Sequence, residues 1–490
     1  MQQAVVARAP FRSSRSRAIR AGHGPCRALG VVAGLALSLL AGCSVAPTVP
    51  QPRIALPGHF AQAPALGPRP DLAHWWRGFG DPVLDTLVTR ALHENLDLQA
   101  AGERLAAARA LAPTVTARYL PQLSLYTNQQ PTPGSTASYF QVGFDAVWQL
   151  GVFGRAESER RVIAGNAGLA AADLAAARVA VVAEVVRNYL ALRAAQAQAA
   201  LEAELVAAAQ RRVTLTRVRV AQHLAAPETG DAALAALDTA RAEASAAPAA
   251  IVVARQQLAV LLGEAEPDPM LTAVAPLPAP PAATAVLPPA DLLRTRPDIQ
   301  RAEAAVLRAA GELGIARADL YPRLALGWTM TASARTAGGE IGRLRGIPSF
   351  GPIINMPLFD WGLRQAQVRA NDHALRAAVL SYRQTVLTAV GETEQALAQL
   401  AAARERATQS AATTVALQRA AQAAATRARL GLADGLQGDG ANIATLRAAL
   451  VASQAREAEG VAWVALYKAQ GGAAPVTAPP PTAAAAGVAR

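Results

Sequence analysis

Side chains that commonly carry metal or covalent chemistry are sparse in this chain of 490 residues. It contains two cysteines and six histidines, and the histidines are scattered without the spacing of a ligand set. A structural zinc site takes four ligands from clustered Cys and His residues, and the sequence has no such cluster. It also shows no nucleophile–base arrangement and no phosphate-binding loop. We therefore predict that the protein is not an enzyme, has no catalytic residue, and holds no metal or soluble cofactor.

Cys43 is the one residue whose surroundings favour a covalent modification. Residues 1–27 are rich in arginine, and residues 28–42 are uncharged and mostly apolar. An apolar run of this length is too short for a membrane-spanning helix but fits the core of a signal peptide. Ala41 and Gly42 are small enough for a narrow peptidase cleft, and the thiol that follows them can accept a lipid. An ordinary secretory signal that happens to precede a cysteine is the alternative.

The Leu-Ala-Gly-Cys segment that ends at Cys43 resembles the lipobox of bacterial lipoproteins. The resemblance implies that residues 1–42 are a signal peptide that is cleaved, and that Cys43 receives diacylglycerol and an N-acyl chain such as palmitate. Ser44, rather than Asp, follows the cysteine, which by the same resemblance implies transport to the outer membrane. Residues 43–80 would then form a lipidated, extended N-terminal segment.

The formal net charge of +12 does not indicate a nucleic-acid partner. Half of it comes from six arginines that precede Cys43, where there is no acidic residue. The remaining basic residues are spread along segments that also carry Glu and Asp, without the concentrated stripe typical of nucleic-acid binding. We therefore expect no nucleic-acid binding.

The chain contains an internal duplication, which residue identities reveal at two constant shifts. A shift of 201 residues aligns Asp97 with Asp298 and Pro121 with Pro322. A shift of 208 residues aligns Leu150, Gly154, Glu184, Leu192, Asp231, Leu258 and Gly263 with Leu358, Gly362, Glu392, Leu400, Asp439, Leu466 and Gly471. These identities predict two structural repeats at 81–263 and 289–471, a proline-rich linker at 264–288 and a disordered Ala/Pro tail at 472–490.

Each repeat opens with a helical pattern, which in the first repeat reaches about residue 117, and continues with two segments of strand character. The segment 140–150 places large apolar side chains on one face and mostly polar or glycine residues on the other. Its partner is predicted at about 122–128, and the second repeat offers 324–330 and a segment around 350–359. Strands of this kind are typical of a lipid-facing barrel, although a half-buried strand of a soluble sandwich has the same periodicity. Four strands cannot close a barrel alone, so a membrane role requires oligomerisation.

Long helices are predicted after the strands of both repeats. Residues 155–226 and 363–474 contain no proline. A helix of about seventy residues is on the order of 100 Å long. Apolar residues recur at three- and four-residue spacing over 182–192, which predicts a coiled-coil seam. Glycine and proline residues within 223–231 and 431–440 predict that each chain reverses there into a second, antiparallel helix.

Several short motifs follow one another in order along residues 71–472. They are Trp75-Trp76 with Phe79, Asp81-Pro82 and Leu84, the segment 148–155, the segment 258–263, the segment 291–298, the segment 318–324 and the segment 466–472. Together, and on duplicated halves, these motifs resemble the TolC-like outer-membrane efflux channels, specifically their NodT/OprM-like lipoprotein branch.

This resemblance implies a mainly α-helical protein with a small β part. Long antiparallel coiled-coil hairpins would accompany four strands per protomer, and a homotrimer would complete a twelve-stranded transmembrane β-barrel that continues into an α-helical periplasmic tunnel. The implied partners are outer-membrane lipid, a periplasmic adaptor (a membrane fusion protein) and an inner-membrane pump of the RND type. The protein would be lipid-anchored in the outer membrane and would passively conduct drugs or other small molecules to the outside.

The predicted periplasmic tip departs from the family pattern, because Ala428 stands where an aromatic residue is usual. Asp231, Asp434 and Asp439 lie near the two helix reversals. In a trimer they could form a ring that binds cations or closes the neck by pairing with Arg429. These four residues are the candidate periplasmic gate. Solvated acids that merely cap a helix are the alternative.

Two other classes of protein share part of this pattern. A lipid-anchored periplasmic adaptor would carry one helical hairpin within a lipoyl-like β-domain, without duplication or paired barrel strands. A lipid-anchored coiled-coil scaffold would have soluble strands, no pore and no detergent-dependent trimer. The duplication and the paired strands favour the channel over both alternatives.

Overall fold

The structure is a computed structural model that describes residues 44–50, 54–63, 70–130, 138–282, 284–337, 340–341, 343 and 345–472. The predicted signal peptide, Cys43 and residues 473–490 of the predicted tail lie outside these ranges. Before residue 82 the described segments contain one short 3-10 turn and otherwise extended or bent backbone.

The order of helix, two strands, long helix and returning helix occurs twice. The helices are α1 (Pro82–Glu94), α2 (Leu96–Ala110), α3 (Ala112–Arg118), α4 (Arg155–Ala221), α5 (Pro227–Ala244), α6 (Ala246–Leu261), α7 (Leu292–Thr295), α8 (Pro297–Ala318), α9 (Leu363–Arg429) and α10 (Gly435–Ala469). The strands are β1 (Gln122–Gln130), β2 (Ser138–Gln149), β3 (Arg323–Ala337), β4 (Glu340–Ile341) and β5 (Arg345–Asn355), and short 3-10 turns lie at Trp75–Phe79, Pro269–Thr272 and Pro289–Asp291. The predicted mainly α-helical fold with a small β part is confirmed.

The sheet is antiparallel, with β2 and β3 at its centre and β1 and β5 at its edges. The two-residue β4 pairs with the end of β3. Strands lie at all four predicted places, but β3 continues to Ala337, and β5 covers Arg345–Asn355 rather than 350–359. Pro348 and Pro352 interrupt the side-chain alternation in β5 without ending its pairing with β3, which explains the misplaced boundaries.

The long helices α4 and α9 have 67 residues each and are therefore on the order of 100 Å long. A shift of 208 residues carries both ends of α4 onto the ends of α9. The same shift carries Pro227–Leu261 onto Gly435–Ala469. Helix boundaries thus follow the register that the sequence identities indicate.

An unusual backbone geometry precedes both long helices. Phe153 has a φ of 55° and is followed by Gly154 with a φ of 76°. Trp361 and Gly362, 208 residues later, have φ angles of 55° and 82°. A bulky residue with positive φ is strained, so its occurrence at both equivalent positions shows that this turn fixes how each helix leaves the sheet.

Both long helices end in Schellman turns at the far end from the sheet. The N–H of Leu224 donates to the carbonyl of Arg219 over 2.8 Å, and that of Leu432 to the carbonyl of Arg427 over 2.9 Å. The left-handed residue is Gly431 in the second repeat, with a φ of 72°, but His223 in the first, with a φ of 57°.

The reversal in the second repeat is shorter than the sequence predicts. The returning helix α10 begins at Gly435 rather than after residue 440, because the Asp434 carboxylate accepts a hydrogen bond from the N–H of Leu436 over 3.1 Å. Gly438 and Gly440 therefore lie inside the helix, where glycine costs stability but does not end the helix.

The returning arm of the first repeat is apolar over much of its length. Within the described residues, Pro227–Leu261 is long and apolar enough to cross a membrane by length and composition alone. It forms two helices that separate at Ser245, three residues before Pro248, and both pack against α4. One such stretch is weak support for a membrane span, and its packing makes it the second arm of the hairpin.

The opening helix of the first repeat is three helices rather than the single one that the pattern predicts. Asn95 ends α1 and caps α2, since its side chain accepts from the N–H of Leu98 over 2.9 Å. A further break comes at Leu111, two residues before Pro113. In the second repeat α8 runs unbroken.

The main core lies where the N-terminal segment, α1, α4, α9 and α10 meet. Trp75 stacks on Tyr467, and Phe79 meets the edge of Trp463. Asp81 caps α1 and accepts a hydrogen bond from the Tyr189 hydroxyl over 2.6 Å. Burial and this carboxylate raise the pKa of Tyr189 to about 12. The paired tryptophans are thus a packing element of the core.

Candidate functional site

One face of the sheet is apolar and exposed across its strands. Register places these side chains on a common face: Leu123, Leu125, Phe144, Trp148, Trp328, Met330, Phe350 and Ile354. All of them are exposed, and Phe350 retains 74% of its accessible surface. An apolar patch of this extent marks a surface that meets a membrane or another protein. A bilayer solvates such a face, as in transmembrane β-barrels.

The opposite face of the sheet is more polar. It presents Ser124, Tyr126, Asn128, Gln141, Asp145, Gln149, Thr329 and Thr331, interrupted by Val147, Ile347 and Ile353. The Tyr126 ring crosses Gly143, and its hydroxyl lies 2.6 Å from the Thr331 hydroxyl two strands away. This division into an apolar face and a polar face suits a sheet that separates lipid from water.

A charged network lies where the sheet joins the helices. Arg155 is paired with Asp319 and also donates to Glu159 over 3.2 Å. Arg323 donates to Asp319 over 2.6 Å, and Arg118 donates to Glu159 over 3.3 Å. Arg118, Arg155, Glu159 and Arg323 line a cleft of about 420 Å³. The network ties the start of α4, the end of α8 and the first residue of β3 together.

Two groups in this network have shifted pKa values. Burial alone would raise the pKa of the Asp319 carboxyl, but the hydrogen bond from Arg323 and the charge of Arg155 hold the pKa below its usual range. Burial and the negative charge of Glu159 raise the pKa of Tyr119 to about 12. Just above this network, the Trp148 indole N–H donates to the Tyr119 carbonyl over 2.9 Å. An indole with one apolar and one hydrogen-bonded edge fits a membrane–water boundary.

At the opposite end of the molecule, the helical tip holds the predicted gate residues. Asp434 caps α10 and forms an ion pair with Arg219 of the first repeat. Asp439 lies inside α10, with its carboxylate 3.9 Å from the Arg211 guanidinium. Arg429, the last residue of α9, donates to Thr426 over 3.2 Å. Asp434 is therefore paired with Arg219 within the protomer and not with Arg429.

Asp231 lies in α5, where it is exposed and has no ion-pair partner among the described residues. The structure thus gathers Asp434 and Asp439 with arginines of α4, while Asp231 and Arg429 stay apart from them. Arg211 and Arg219 are functional candidates that the sequence reasoning missed. Both lie in the last three turns of α4, but the sequence gives no signal that they meet Asp434 and Asp439 of the other repeat.

A cleft of about 500 Å³ lies between α4, α5 and α10 near the tip. Its walls are mostly Ala and Leu side chains, and Arg212, Arg219 and Arg447 supply positive charge. No group of three or more His, Cys, Asp or Glu side chains able to hold a metal occurs in the part of the chain that the structure describes.

The predicted lipidation site cannot be located, since Cys43 lies outside the described residues, but its neighbours can. The N–H of Val45 donates to the Phe153 carbonyl over 3.4 Å. The Arg161 guanidinium donates to the Pro47 carbonyl over 2.6 Å. The described chain therefore begins beside the turn that joins β2 to α4, at the sheet end of the molecule.

Taken together, a sheet with an exposed apolar face and two helices on the order of 100 Å long, each followed by a returning arm, define an outer-membrane channel subunit with a large periplasmic part. The chain belongs to the outer membrane efflux protein family, which matches residues 87–264 and 289–472. The two matched regions lie within the two predicted repeats, apart from one residue beyond each repeat's end.

Curated relatives agree with this assignment. Nodulation protein T of Rhizobium leguminosarum bv. viciae is 30% identical over 370 residues, which cover 73% of this chain and 76% of the relative. The toluene efflux pump outer membrane protein TtgF of Pseudomonas putida is 28% identical over 391 residues, covering 74% of this chain and 80% of the relative. The chain is thus an efflux protein of the outer membrane.

Solved structures agree as well. The outer-membrane channel OprN superposes with a TM-score of 0.74 at 30% sequence identity, covering 86% of this chain and 99% of OprN. The open state of the MtrE outer membrane channel of Neisseria gonorrhoeae superposes with a TM-score of 0.76 at 24% identity, covering 88% and 98%. The latter likeness supports the fold alone.

Proposed function

We propose that three copies of this chain form one channel that receives small molecules from a periplasmic adaptor and an inner-membrane pump. The observation that carries the proposal is the sheet. Its apolar face is exposed on every long strand, while β1 and β5 are unpaired edges within the described chain. Exposed edges are unstable in a bilayer, because backbone groups there lack water as a hydrogen-bonding partner. Closure with further copies removes the edges.

Conduction through the channel is passive and needs no catalytic residue. The pump, of the RND type, supplies the energy, and the adaptor meets the helical tip. Drugs and other small molecules are the cargo. The pore is lined by the polar face of the sheet and by exposed positions of the hairpins, which offer a water-filled path.

Lipid on Cys43 anchors the assembly. The start of the described chain lies beside the turn at Phe153, where the sheet meets the helices. An acyl chain on the residue before Ser44 would therefore reach the leaflet that surrounds the sheet. Intact-mass measurement of the mature protein tests this step. We expect a chain that begins at Cys43 and carries diacylglycerol and an N-acyl group, and a Cys43→Ser variant without either.

The tip contacts keep the channel closed at rest. Ion pairs between the first and second repeats, including Arg219–Asp434, hold the two hairpins of each protomer together. Opening would require these hairpins to separate or twist. A lipid-anchored scaffold with the same helices would have no pore and no such gate.

Planar-bilayer recording of the purified full-length protein tests the channel. We expect brief, discrete conductance steps, since the tip is closed most of the time, which appear when protein is added and are absent with detergent alone. Export by cells that lack the gene and carry it on a plasmid gives the physiological counterpart. A protein that binds membranes through its lipid but never conducts would support the scaffold instead.

A further inference from the structure

The cleft of about 420 Å³ at the junction of sheet and helices lies against the polar face of the sheet. Gln149, Ala325 and Ile353 line it from one row across β2, β3 and β5. Arg323 and Asn355 line it from the next row on the same face. Side chains alternate between the two faces of a strand, so all five belong to the polar face. In the proposed channel that face borders the water-filled path, and a solute in the pore reaches the cleft without entering lipid.

Positive charge exceeds negative charge around this cleft. Arg118 and Arg155 both pair with Glu159, over 3.3 Å and 3.2 Å. Arg155 and Arg323 both pair with Asp319. These ion pairs set three guanidinium groups against two carboxylates, which leaves one positive charge in excess in each protomer.

The rest of the polar face does not offset this excess. Farther from the helices, Arg345 of β5 adds one positive charge and Asp145 of β2 adds one negative charge. Among the strand residues whose side chains the structure describes, no other charged residue lies on this face beyond the cleft. In the proposed trimer the clefts form a ring of positive charge around the pore, and rings of basic side chains favour anions.

Two of the arginines keep hydrogen-bond donors free. The side chains of Arg118 and Arg323 are 60% and 62% exposed. Each is hydrogen-bonded to its carboxylate through a single nitrogen, Nη1 in Arg118 and Nη2 in Arg323. A guanidinium carries several N–H groups in a planar fork that matches the oxygens of carboxylates, sulfonates and phosphates. The remaining donors are therefore available to an anion in the cleft.

Tyr119 supplies a further polar group. It lines the cleft, and its hydroxyl oxygen is buried without a hydrogen-bond partner of ordinary geometry among the described residues. A buried hydroxyl without a partner costs free energy, which a bound oxyanion that accepts from it would remove. Burial raises the pKa of Tyr119 to about 12, so the hydroxyl remains a donor at neutral pH.

The cleft also has an apolar part, which Val147, Val152, Phe153 and Ile353 supply. Sites for small organic molecules have volumes of about 300–1,000 Å³ and combine apolar walls with a few polar groups. The cleft therefore has room for an organic anion with a ring or a short chain, and not only for an inorganic ion.

We propose that this cleft binds the anionic group of an organic solute in the pore, through Arg118, Arg323 and the Tyr119 hydroxyl. The occupant is a small carboxylate, sulfonate or phosphate ester with an apolar body, and the pore accordingly prefers anions to cations. The inference rests on the proposed channel and adds the charge class of its cargo.

Each protomer has one such site rather than two, although its fold is duplicated. The shift of 208 residues carries Arg155 and Glu159 onto Leu363 and Gln367, which are uncharged. The equivalent place at the start of α9 therefore lacks the charges that define the cleft. Binding should saturate at one anion per protomer.

Calorimetric titration of the full-length protein in a non-ionic detergent tests the site. The probe is meta-benzenedisulfonate, which is ionised at any working pH and too polar to enter micelles, and the neutral meta-benzenedisulfonamide is its uncharged counterpart. We expect one disulfonate per protomer, weaker binding at higher ionic strength, and no binding of the disulfonamide. Equal binding of both probes would overturn the inference.

The double variant Arg118→Gln/Arg323→Gln should weaken binding of the disulfonate by at least about tenfold, because it removes the exposed charged donors. Its matched control is Arg160→Gln/Arg301→Gln, which removes two arginines outside the cleft that are also ion-paired and are 55% and 60% exposed. The control should bind like the parent. Loss of binding in both variants, or in neither, would overturn the inference.

The variant Arg118→Lys/Arg323→Lys decides the matter if the glutamine variant fails to assemble. It keeps both positive charges, but lysine lacks the planar fork of arginine. We expect several-fold weaker binding of the disulfonate at an unchanged melting temperature. An affinity equal to that of the parent would overturn the assignment of these donors.

Reversal potentials in planar bilayers under a KCl gradient separate the site from the channel. We expect the parent to prefer chloride, and the preference of Arg118→Gln/Arg323→Gln to move towards potassium, since its cleft retains one guanidinium and two carboxylates. An unchanged permeability ratio would overturn the anion preference. Conduction without binding of the disulfonate would overturn the site and leave the channel in place. Binding in a protein that never conducts would overturn the channel and leave the site.

Discussion

Asp434 of the second repeat is ion-paired with Arg219 of the first, a residue 215 positions earlier in the chain. The same carboxylate caps α10. One side chain thus fixes the start of the returning helix and ties it to the neighbouring hairpin. If the tip is a gate, this pair is part of what keeps it closed.

Replacing Arg219 by Gln should increase the resting conductance of the channel in planar bilayers. Both partners are exposed by more than a third, so solvent screens the pair, and its contribution is about 1 kcal/mol at most. That corresponds to up to about a fivefold larger open fraction. Arg217→Gln is the matched control, because Arg217 loses the same charge two residues away and has no ion-pair partner among the described residues. Equal conductance in both variants would remove the pair from the gate.

Two glycines near the same turn should respond to alanine in opposite directions. Gly431→Ala forces an alanine into a left-handed conformation and should destabilise the tip by about 1 kcal/mol. Gly438→Ala lies inside α10 with open space around it and should stabilise the helix by about 0.5–1 kcal/mol. Hydrogen exchange of the amides in 425–445 reports both changes. Faster exchange in Gly438→Ala than in the parent would contradict the helix boundary.

Stability should depend on pH through Asp319. Its folded pKa lies below that of the unfolded chain, so its contribution is fully present above the unfolded pKa and is lost as pH falls through the folded pKa. In Asp319→Asn, the melting temperature should be lower at neutral pH and should fall less than the parent's on acidification below about pH 5. Parallel curves for the two proteins would show that the ion pair with Arg155 does not contribute.

Glu457 on α10 should behave in the opposite sense. Burial raises the pKa of its carboxyl, so its contribution is present below the unfolded pKa and is lost as pH rises through the folded pKa. Glu457→Gln should therefore melt at a higher temperature than the parent at neutral pH and match it at pH 4. A lower melting temperature at neutral pH would mean that the carboxylate has a stabilising partner in the assembly.

Substitutions at two tryptophans should have different effects, one on the stability of the protomer and the other on trimer assembly. The Trp463 side chain retains 1% of its accessible surface and packs against Trp75, Phe79 and Tyr467. Trp463→Ala should cost about 3–5 kcal/mol of unfolding free energy. Trp361 is almost fully exposed in the protomer, so Trp361→Ala should leave helix content by circular dichroism unchanged and lower the trimer fraction. A stable trimer in Trp361→Ala would argue against a place for this side chain in the contact between protomers.

Local sequence pattern predicts much of this fold. The 208-residue register carries the ends of α4 onto those of α9, because helix termination depends on nearby caps and turns. The seam residues Val182, Val185 and Tyr189 are buried as their spacing predicts. What the pattern does not reveal is mainly tertiary. The Arg219–Asp434 pair joins residues far apart in sequence, and composition alone gives no partner for either.

The boundaries of helices and strands were less predictable where two sequence signals disagree. Gly435 and Gly438 read as helix breakers, yet the Asp434 cap and the packing of α10 on α9 outweigh their propensity. In β5, Pro348 and Pro352 obscure the alternation because an edge strand tolerates proline on its free side. The proposed lipid on Cys43 and the predicted domain limits, those of the repeats at 81–263 and 289–471 included, remain predictions.

The number of protomers in the extracted particle tests the central claim most directly. Protein extracted from outer-membrane fractions with mild detergent is measured by light scattering, with the detergent contribution subtracted. We predict a mass of three protomers and no release from the membrane without detergent, even after the lipid on Cys43 is removed. A single protomer, or release into buffer once the lipid is gone, would contradict the channel and leave a lipid-anchored scaffold.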